Sequence, residues 1–335
     1  MVISKTPYRI SFFGGGSDYP SWYLKNGGCV ISATINKYIY ISCRELLPYF
    51  KHKNRIVYSK IEIVKDINDI KHAVVKNVLK SFRKENIFKK SGLEIHYDGD
   101  LPSRTGVGSS SAFVVGFLNL LNNFFNKTVS KNKLVDQSIN LEQHVLREVV
   151  GSQDQIATCY GGFNEIIFLK NGKYIVDPLI TNVKDLSNLE DQLFLVFSGI
   201  RSNTANNIAN TYVSSFSKKN KNLIFEIINH TNVAKKIIKD KNFLDLGPLL
   251  NETWKIKRAL SKSISTSQVD MIYKLGLKNG ATGGKLLGAG GAGFVLFFVP
   301  KNNKLNFLRA FKNYTIVDFK FENKGTHIIL NDQKI

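Results

Sequence analysis

A two-lobed chain of mixed strands and helices is what this sequence predicts, and three observations carry that expectation. Its 335 residues suffice for two lobes with a shared or divided core. Strand-like and helix-like stretches both recur along the chain. Near residues 170–195 the character changes from apolar, strand-rich segments towards a lysine-rich helical stretch, and a domain boundary is placed there.

The first third reads as strands and turns. Tyr38-Ile39-Tyr40-Ile41-Ser42 is rich in β-formers, and Leu93, Ile95 and Tyr97 alternate with polar residues before the turn Asp98-Gly99-Asp100. From about Ser110 to Phe125 a helix would be apolar almost all round, so it should be central and buried. A second helix is predicted from about Ser130 to Glu148, with Leu134, Ile139, Leu141 and Leu146 at roughly helical spacing. Strands return at Glu165-Ile166-Ile167-Phe168 and at Leu193-Phe194-Leu195-Val196-Phe197. Lys218 to Ser265 is helical, with Gly247-Pro248 as its break. A glycine cluster follows, then a strand from Phe294 to Val299 stopped by Pro300. No repeat of fixed period and no low-complexity linker interrupts this order.

Composition excludes several classes. The most apolar stretch, Ala112 to Phe125, is broken by Gly116, Asn119, Asn122 and Asn123, well short of the ~20 apolar residues of a spanning helix. The start, Met1-Val2-Ile3-Ser4-Lys5, runs into a strand-like segment and lacks a signal peptide's apolar core. Cys29, Cys43 and Cys159 have neither metal-ligand nor disulfide spacing, which points to a reducing cytoplasm. The formal net charge is +21, open to three readings: nucleic-acid binding, membrane-surface binding, or attraction of anionic small molecules. The basic residues are mostly lysines dispersed through polar segments, without an Arg-rich arm or a nucleic-acid signature, so a solvated surface is the plainer explanation.

Three loops carry candidate chemistry. Leu101-Pro102-Ser103-Arg104-Thr105-Gly106-Val107-Gly108-Ser109-Ser110-Ser111-Ala112 leads straight into the buried helix. Its glycines allow close backbone approach, and its serines sit at a helix N-terminus, where the dipole favours phosphate. One serine would suffice as a helix cap; three exceed that need. A Walker A loop is excluded, because Gly284-Lys285 is followed by Leu286 and lacks the leading glycine. Gly288, Gly290 and Gly293 match the spacing of a dinucleotide-binding loop, but that loop should open a helix and here a strand follows. The second loop, Lys285 to Phe294, therefore reads either as a tight turn into a strand or as backbone close to another group. The third, Thr6 to Pro20, holds Arg9, the triple glycine Gly14-Gly15-Gly16, Ser17 and Asp18 within a short span. It is either a hairpin turn or a site where Asp18 accepts hydrogen bonds from a polyol and Arg9 contacts an anion.

In this order the three loops resemble the GHMP kinase superfamily, which includes galactokinase, homoserine kinase, mevalonate kinase and phosphomevalonate kinase. Its Pro-x-x-x-Gly-Leu-Gly-Ser-Ser-Ala signature is matched by Pro102 through Ser111, with Val107 in place of Leu and Ser111 in place of Ala. Gly288 to Gly293 match its late glycine loop, and Gly151-Ser152-Gln153-Asp154-Gln155 looks like its segment bearing a catalytic Asp. The resemblance spans nearly the whole chain. It is closest to the branch acting on D-glycero-D-manno-heptose 7-phosphate, through Phe13 to Pro20, Gly27-Gly28, Ile35 to Tyr38, Trp254-x-x-Lys257 and Asn279-Gly280-Ala281.

The resemblance implies an α+β, two-lobed GHMP kinase fold. Residues 1–180 would form a nucleotide-binding lobe like ribosomal protein S5 domain 2, and residues 181–335 a ferredoxin-like lobe. It implies a phosphotransferase using ATP and Mg²⁺ on the anomeric hydroxyl of a sugar phosphate, for nucleotide-activated heptose and surface polysaccharide. Asp154 and Arg9 would be catalytic. Pro102, Thr105, Gly106, Val107, Gly108, Ser109, Ser110 and Ser111 would hold ATP, and Ser110 and Glu142 the metal. Gly15, Gly16, Ser17, Asp18, Arg201, Lys257, Gly288, Gly290 and Gly291 would contact the sugar, with Arg104, Arg201, Lys257 and Lys285 as candidates for its phosphate. A cytoplasmic monomer or homodimer is expected, with no nucleic-acid or membrane partner. A fucokinase-like or galactokinase-like sugar 1-kinase, a basic nucleic-acid-binding protein and a non-catalytic protein of the same fold are the alternatives.

Overall fold

The computed structural model describes residues 1–85, 87–201, 205–213 and 218–332. Two sheets organise an α+β molecule of two lobes. The first contains β1 (Val2–Phe13), β2 (Gly28–Leu46), β3 (Asn54–Val57), β4 (Ile61–Val64), β5 (Gly92–Gly99), β6 (Phe163–Phe168) and β7 (Tyr174–Ile180). The 19-residue β2 is its spine: the end from Ile39 to Leu46 pairs with β5, and the start from Gly28 to Ala33 pairs with β6. Every pairing is antiparallel except that of β3 with β5.

The helix expected near residue 110 spans Ser109–Phe124 and lies on β1 and β2. Its residues from Ser111 to Leu118 are all buried, as its all-round apolar pattern requires. Gly116 makes the close contact possible, since a Cβ there would stand 2.5 Å from the Thr6 hydroxyl of β1.

The second sheet contains β8 (Leu193–Phe197), β9 (Gly283–Leu286), β10 (Phe294–Phe298) and β11 (Ile316–Val317), in the antiparallel order β11-β8-β10-β9. Phe194, Phe297, Phe307 and Phe311 pack ring to ring on it, which explains the unbroken apolar runs of β8 and β10. The last strand, β12 (His327–Asn331), returns to the first sheet and pairs antiparallel with β1.

Two elements differ from expectation. The predicted helix from Ser130 to Glu148 is α-helical only over Lys131–Ile139, where Ser130 caps it, and continues as a wide π-turn over Asn140–Val145. The break in the lysine-rich stretch lies at residues 240–245, between the helices Lys218–Lys239 and Leu246–Leu260. Gly247-Pro248 sits inside the first turn of the second helix, where a missing N–H costs nothing.

Candidate active site

Chain direction brings four segments to one place. β1 carries Arg9; the loop after β1 carries Asp18; the start of the central helix follows Gly108; and the helix Gln153–Tyr160 carries Asp154 in its first turn. Arg9 donates from Nε to Asp154 Oδ1 at 2.7 Å and from Nη2 to Oδ2 at 2.6 Å, a bidentate charge-assisted pair. Its third nitrogen, Nη1, donates to the Gly106 carbonyl at 2.7 Å, and its backbone N–H to the Val107 carbonyl at 3.1 Å. Arg9 is thereby fastened to the Gly106-Val107 loop and the Asp154 carboxylate at once. The Arg9 side chain is 5% exposed and that of Asp154 25%, so the carboxylate is the member presented to solvent.

Gly106 and Gly108 both have positive φ, and their missing side chains are required. A Cβ on Gly106 would stand 2.4 Å from the Leu287 carbonyl, and one on Gly108 3.1 Å from Arg9 Cγ and 3.4 Å from Asp154 Oδ2. The late glycine loop is thus packed against the early one: Gly288 against Gly106, Gly293 against Thr105, Gly290 against Ile264, and Gly291 beside Ile208 and Arg201. Of the residues expected at the nucleotide, Val107 is fully buried and Thr105 donates its hydroxyl to the Pro102 carbonyl at 2.7 Å. Ser109 is half-buried and Ser110 exposed at the helix start.

No side chain caps that helix, although three serines stand at its first turn. Two of them turn to Glu142 instead: Ser111 Oγ lies 3.1 and 2.9 Å from its two oxygens, and Ser110 Oγ 3.4 Å from Oε1. The first-turn amides consequently lack a side-chain acceptor, as an anion site requires. Glu142 lies in the π-turn, is fully buried, and also receives the Gln155 side-chain amide. Burial raises its pKa to about 8; the amide of Gln155 and the hydroxyl of Ser111 lower it, while Glu148 and Asp154 raise it. One carboxylate and one exposed hydroxyl are hard oxygen donors, and the described residues contain no cluster of three metal-ligating side chains. That set fits Mg²⁺, which takes few protein ligands and completes its shell with water and phosphate.

Asp18 is buried against Gly151 and Ser152. Its Oδ1 accepts the Gly16 N–H at 2.9 Å, its carbonyl accepts the Ser152 N–H at 2.8 Å, and a Cβ on Gly151 would stand 1.8 Å from Oδ2. Burial pushes its carboxyl up in pKa, the Gly16 N–H opposes this, and Asp154 adds to it. Gly15 is half-buried and a Cβ there would meet Ser11 Oγ at 3.9 Å, whereas Ser17 donates its hydroxyl to the Gly14 carbonyl and bonds with the Cys29 backbone. Arg201 donates from Nε to the Arg104 carbonyl at 3.1 Å, and Lys257 from Nζ to the Gly288 carbonyl at 2.5 Å. Gln153 and Gln155 escaped the sequence reading. Gln153 accepts from Ser11 at 3.0 Å and donates to Asp154 Oδ1 at 3.3 Å. Their only sequence trace was adjacency to Asp154, because their partners lie on distant segments.

The family model for the GHMP kinases N terminal domain matches residues 73–162, which contain the central helix, Glu142 and Asp154. D-glycero-alpha-D-manno-heptose 7-phosphate kinase of Campylobacter jejuni is 29% identical over 330 residues, covering 97% of each chain. L-fucokinase/L-fucose-1-P guanylyltransferase of Bacteroides fragilis is 25% identical over 90% of this chain and 35% of its own length. Among solved structures, a D-glycero-D-manno-heptose 1-phosphate kinase from Bacteroides thetaiotaomicron superimposes with a TM-score of 0.80 at 23% identity, over 99% of this chain and 100% of that one. The matched residues hold the uncapped helix and the Arg-bound carboxylate, and the surrounding fold is shared from end to end: residues 73–162 match the GHMP kinases N terminal domain, and the whole chain is similar to sugar kinases that carry it.

Proposed function

We propose that the protein is an ATP- and Mg²⁺-dependent sugar 1-kinase of the cytoplasm. It would transfer the γ-phosphoryl group to the anomeric hydroxyl of D-glycero-D-manno-heptose 7-phosphate, giving the 1,7-bisphosphate for nucleotide-activated heptose and surface polysaccharide. The division of labour is residues 1–180 for the nucleotide and residues 181–335 closing the cleft. The observation that carries the reading is the Asp154 carboxylate, locked by Arg9 and set beside Gly108 at the uncapped helix start. The end-to-end likeness to the Campylobacter jejuni heptose 7-phosphate kinase supports the choice of sugar.

In this mechanism the first-turn amides of Ser109, Ser110 and Ser111 bind the triphosphate, with Gly106 and Gly108 keeping the backbone close. Ser110 and Glu142 would hold Mg²⁺, which would supply neutralisation of charge on the phosphate oxygens. Asp154 accepts a hydrogen bond from the C1 hydroxyl and takes its proton as that oxygen attacks the γ-phosphorus, while the bond from that phosphorus to the bridging oxygen breaks and ADP leaves. Both Asp154 oxygens already receive Arg9, so the carboxylate cannot rotate, and it meets the hydroxyl in one orientation. Arg9 offsets the negative charge around the moving phosphoryl group. Asp18, with Gly15 and Gly16 beside it, orients sugar hydroxyls, and Arg201 and Lys257 contact the sugar from the second lobe.

The test is a coupled ADP-release assay over a panel of sugars and sugar phosphates with Mg-ATP. Fastest consumption of the heptose 7-phosphate is expected; no activity on any sugar phosphate rejects the reading. A second reading, a 1-kinase for an unphosphorylated sugar such as fucose, is favoured by the match to the Bacteroides fragilis enzyme over 90% of the chain. The same panel separates the two.

A further inference from the structure

Two lysines are buried where the lobes meet, and neither has a carboxylate as hydrogen-bond partner. Lys285 on β9 donates from Nζ to the Phe12 carbonyl of β1 at 2.8 Å, and Lys257 on the helix Leu246–Leu260 donates to Gly288 at 2.5 Å. Both residues are under a tenth exposed. Around Lys257 stand Arg9 from β1, Arg201 after β8 and Asp18 from the loop after β1; Lys285 faces Lys257, Arg9 and Asp18, and Asp154 lies beside Asp18. Arg9 and Asp154 neutralise each other as a bidentate pair. That leaves Lys257 and Lys285 facing Asp18, an excess of positive charge out of water. An ammonium ion is strongly hydrated, and burying it against carbonyl oxygens alone is unfavourable unless an anion completes the site.

We propose that Lys257 and Lys285 together bind the phosphate that the sugar substrate already carries, so that this pair sets the preference for a phosphorylated over an unphosphorylated sugar. The inference rests on the sugar-phosphate reading above and names the residues that would enforce it. A phosphate dianion supplies the charge that Asp18 alone does not, and it offers several acceptor oxygens to two ammonium groups held by neighbouring elements of the second lobe, the helix Leu246–Leu260 and β9. Burial lowers the pKa of Lys257 to about 8, with Arg9 and Arg201 adding to the effect and Asp18 opposing it. Burial lowers that of Lys285 further, with Lys257 and Arg9 contributing. The dianion therefore brings protons with it: its arrival favours the charged form of both lysines, and binding takes up protons from solvent. The triphosphate of ATP is the competing anion, and the experiment separates the two.

Wild-type protein, Lys257→Met and Lys285→Met are compared for KM of D-glycero-D-manno-heptose 7-phosphate, of the unphosphorylated heptose and of ATP. Titration calorimetry in buffers of different ionisation enthalpy reads proton uptake. Each substitution is expected to raise the KM for the 7-phosphate by at least about tenfold, the order found when one partner of a buried charge contact is removed. The preference for the 7-phosphate, read as the KM for the unphosphorylated heptose over that for the 7-phosphate, should fall by about tenfold, while KM for ATP changes less than KM for the 7-phosphate. Proton uptake on binding the 7-phosphate should fall in both variants. If the wild type prefers the 7-phosphate and the variants keep that preference, the pair is rejected and the sugar-phosphate reading stands. A wild type that gains nothing from the 7-phosphate rejects both. A rise in KM for ATP instead assigns the lysines to the nucleotide and overturns the inference. Unchanged ATP affinity also reports an intact nucleotide loop; if Lys285→Met does not fold, Lys257→Met alone decides.

Discussion

Arg9 and Asp154, 145 residues apart in sequence, meet through two parallel hydrogen bonds, and the arginine of the pair also grips the carbonyl of Gly106. One side chain thus ties the Asp154 carboxylate to the Gly106 loop. In the proposed mechanism the distance between base and phosphoryl donor is therefore a property of the fold rather than of two mobile side chains. Asp154→Asn keeps the volume but loses the basic oxygen and one partner for the guanidinium. Turnover is expected to fall by about two to four orders of magnitude, the range for loss of a general base. The affinity for an ATP analogue should change little. Near-normal turnover in this variant removes Asp154 from the chemistry.

Gly151→Ala probes the sugar side separately. The new methyl would stand 1.8 Å from Asp18 Oδ2, and Asp18 is buried, short and tied to Gly16 and Ser152. The carboxylate must shift, so KM for the sugar should rise by about tenfold or more, as for a displaced binding contact. KM for ATP should not change. Equal effects on both substrates show that the whole cleft has moved.

Gly106→Ala tests the contact between the two glycine loops. It adds left-handed strain at φ 86° to a clash with the Leu287 carbonyl. A stability loss of at least about 1–2 kcal/mol is expected, the cost of an L-residue in that region. Denaturant unfolding reads it, and weaker ATP binding should accompany it. An unchanged midpoint with normal ATP affinity would mean that the loops do not support each other.

Lys257 gives a pH dependence of known sign. Its folded-state pKa, about 8, lies below the 10.5 of an exposed lysine, so below pH 8 the folded protein carries this charge at a penalty. Folding stability should therefore gain from this group as pH rises from about 8 towards 10.5. Phosphate binding needs the charge and should weaken as pH rises through about 8. KM for the sugar phosphate across pH 6.5 to 9.5, roughly a unit and a half either side of that value, reads this directly. A flat profile, or the same slope in Lys257→Met, excludes Lys257 as its source.

How much of this was legible beforehand varies with the cause of each element. The central helix was predicted from about Ser110 to Phe125 and spans Ser109–Phe124, because a helix apolar on every face has no other way to satisfy its residues. The strand Leu193–Phe197 was read to the residue, since a short β-rich apolar run admits little else. The π-turn at Asn140–Val145 was invisible: its sequence is an ordinary helical one, and the widening serves contact between Glu142 and Ser111, which no local pattern encodes. The position of the break near residue 245 was misjudged because proline was read as a stop, whereas it fits the first turn of a helix. Arg9, Asp154, Glu142 and Ser110 were singled out by family spacing and are brought together. Their glutamine supports and the buried placement of both lysines follow from packing between segments far apart in the chain.

The most direct measurement is a crystal structure of the protein with a non-hydrolysable ATP analogue and Mg²⁺. The account predicts the triphosphate on the amides of Ser109, Ser110 and Ser111, the metal between Ser110 and Glu142, and the γ-phosphate turned towards Asp154. A nucleotide bound elsewhere, with this helix start left to water, contradicts it.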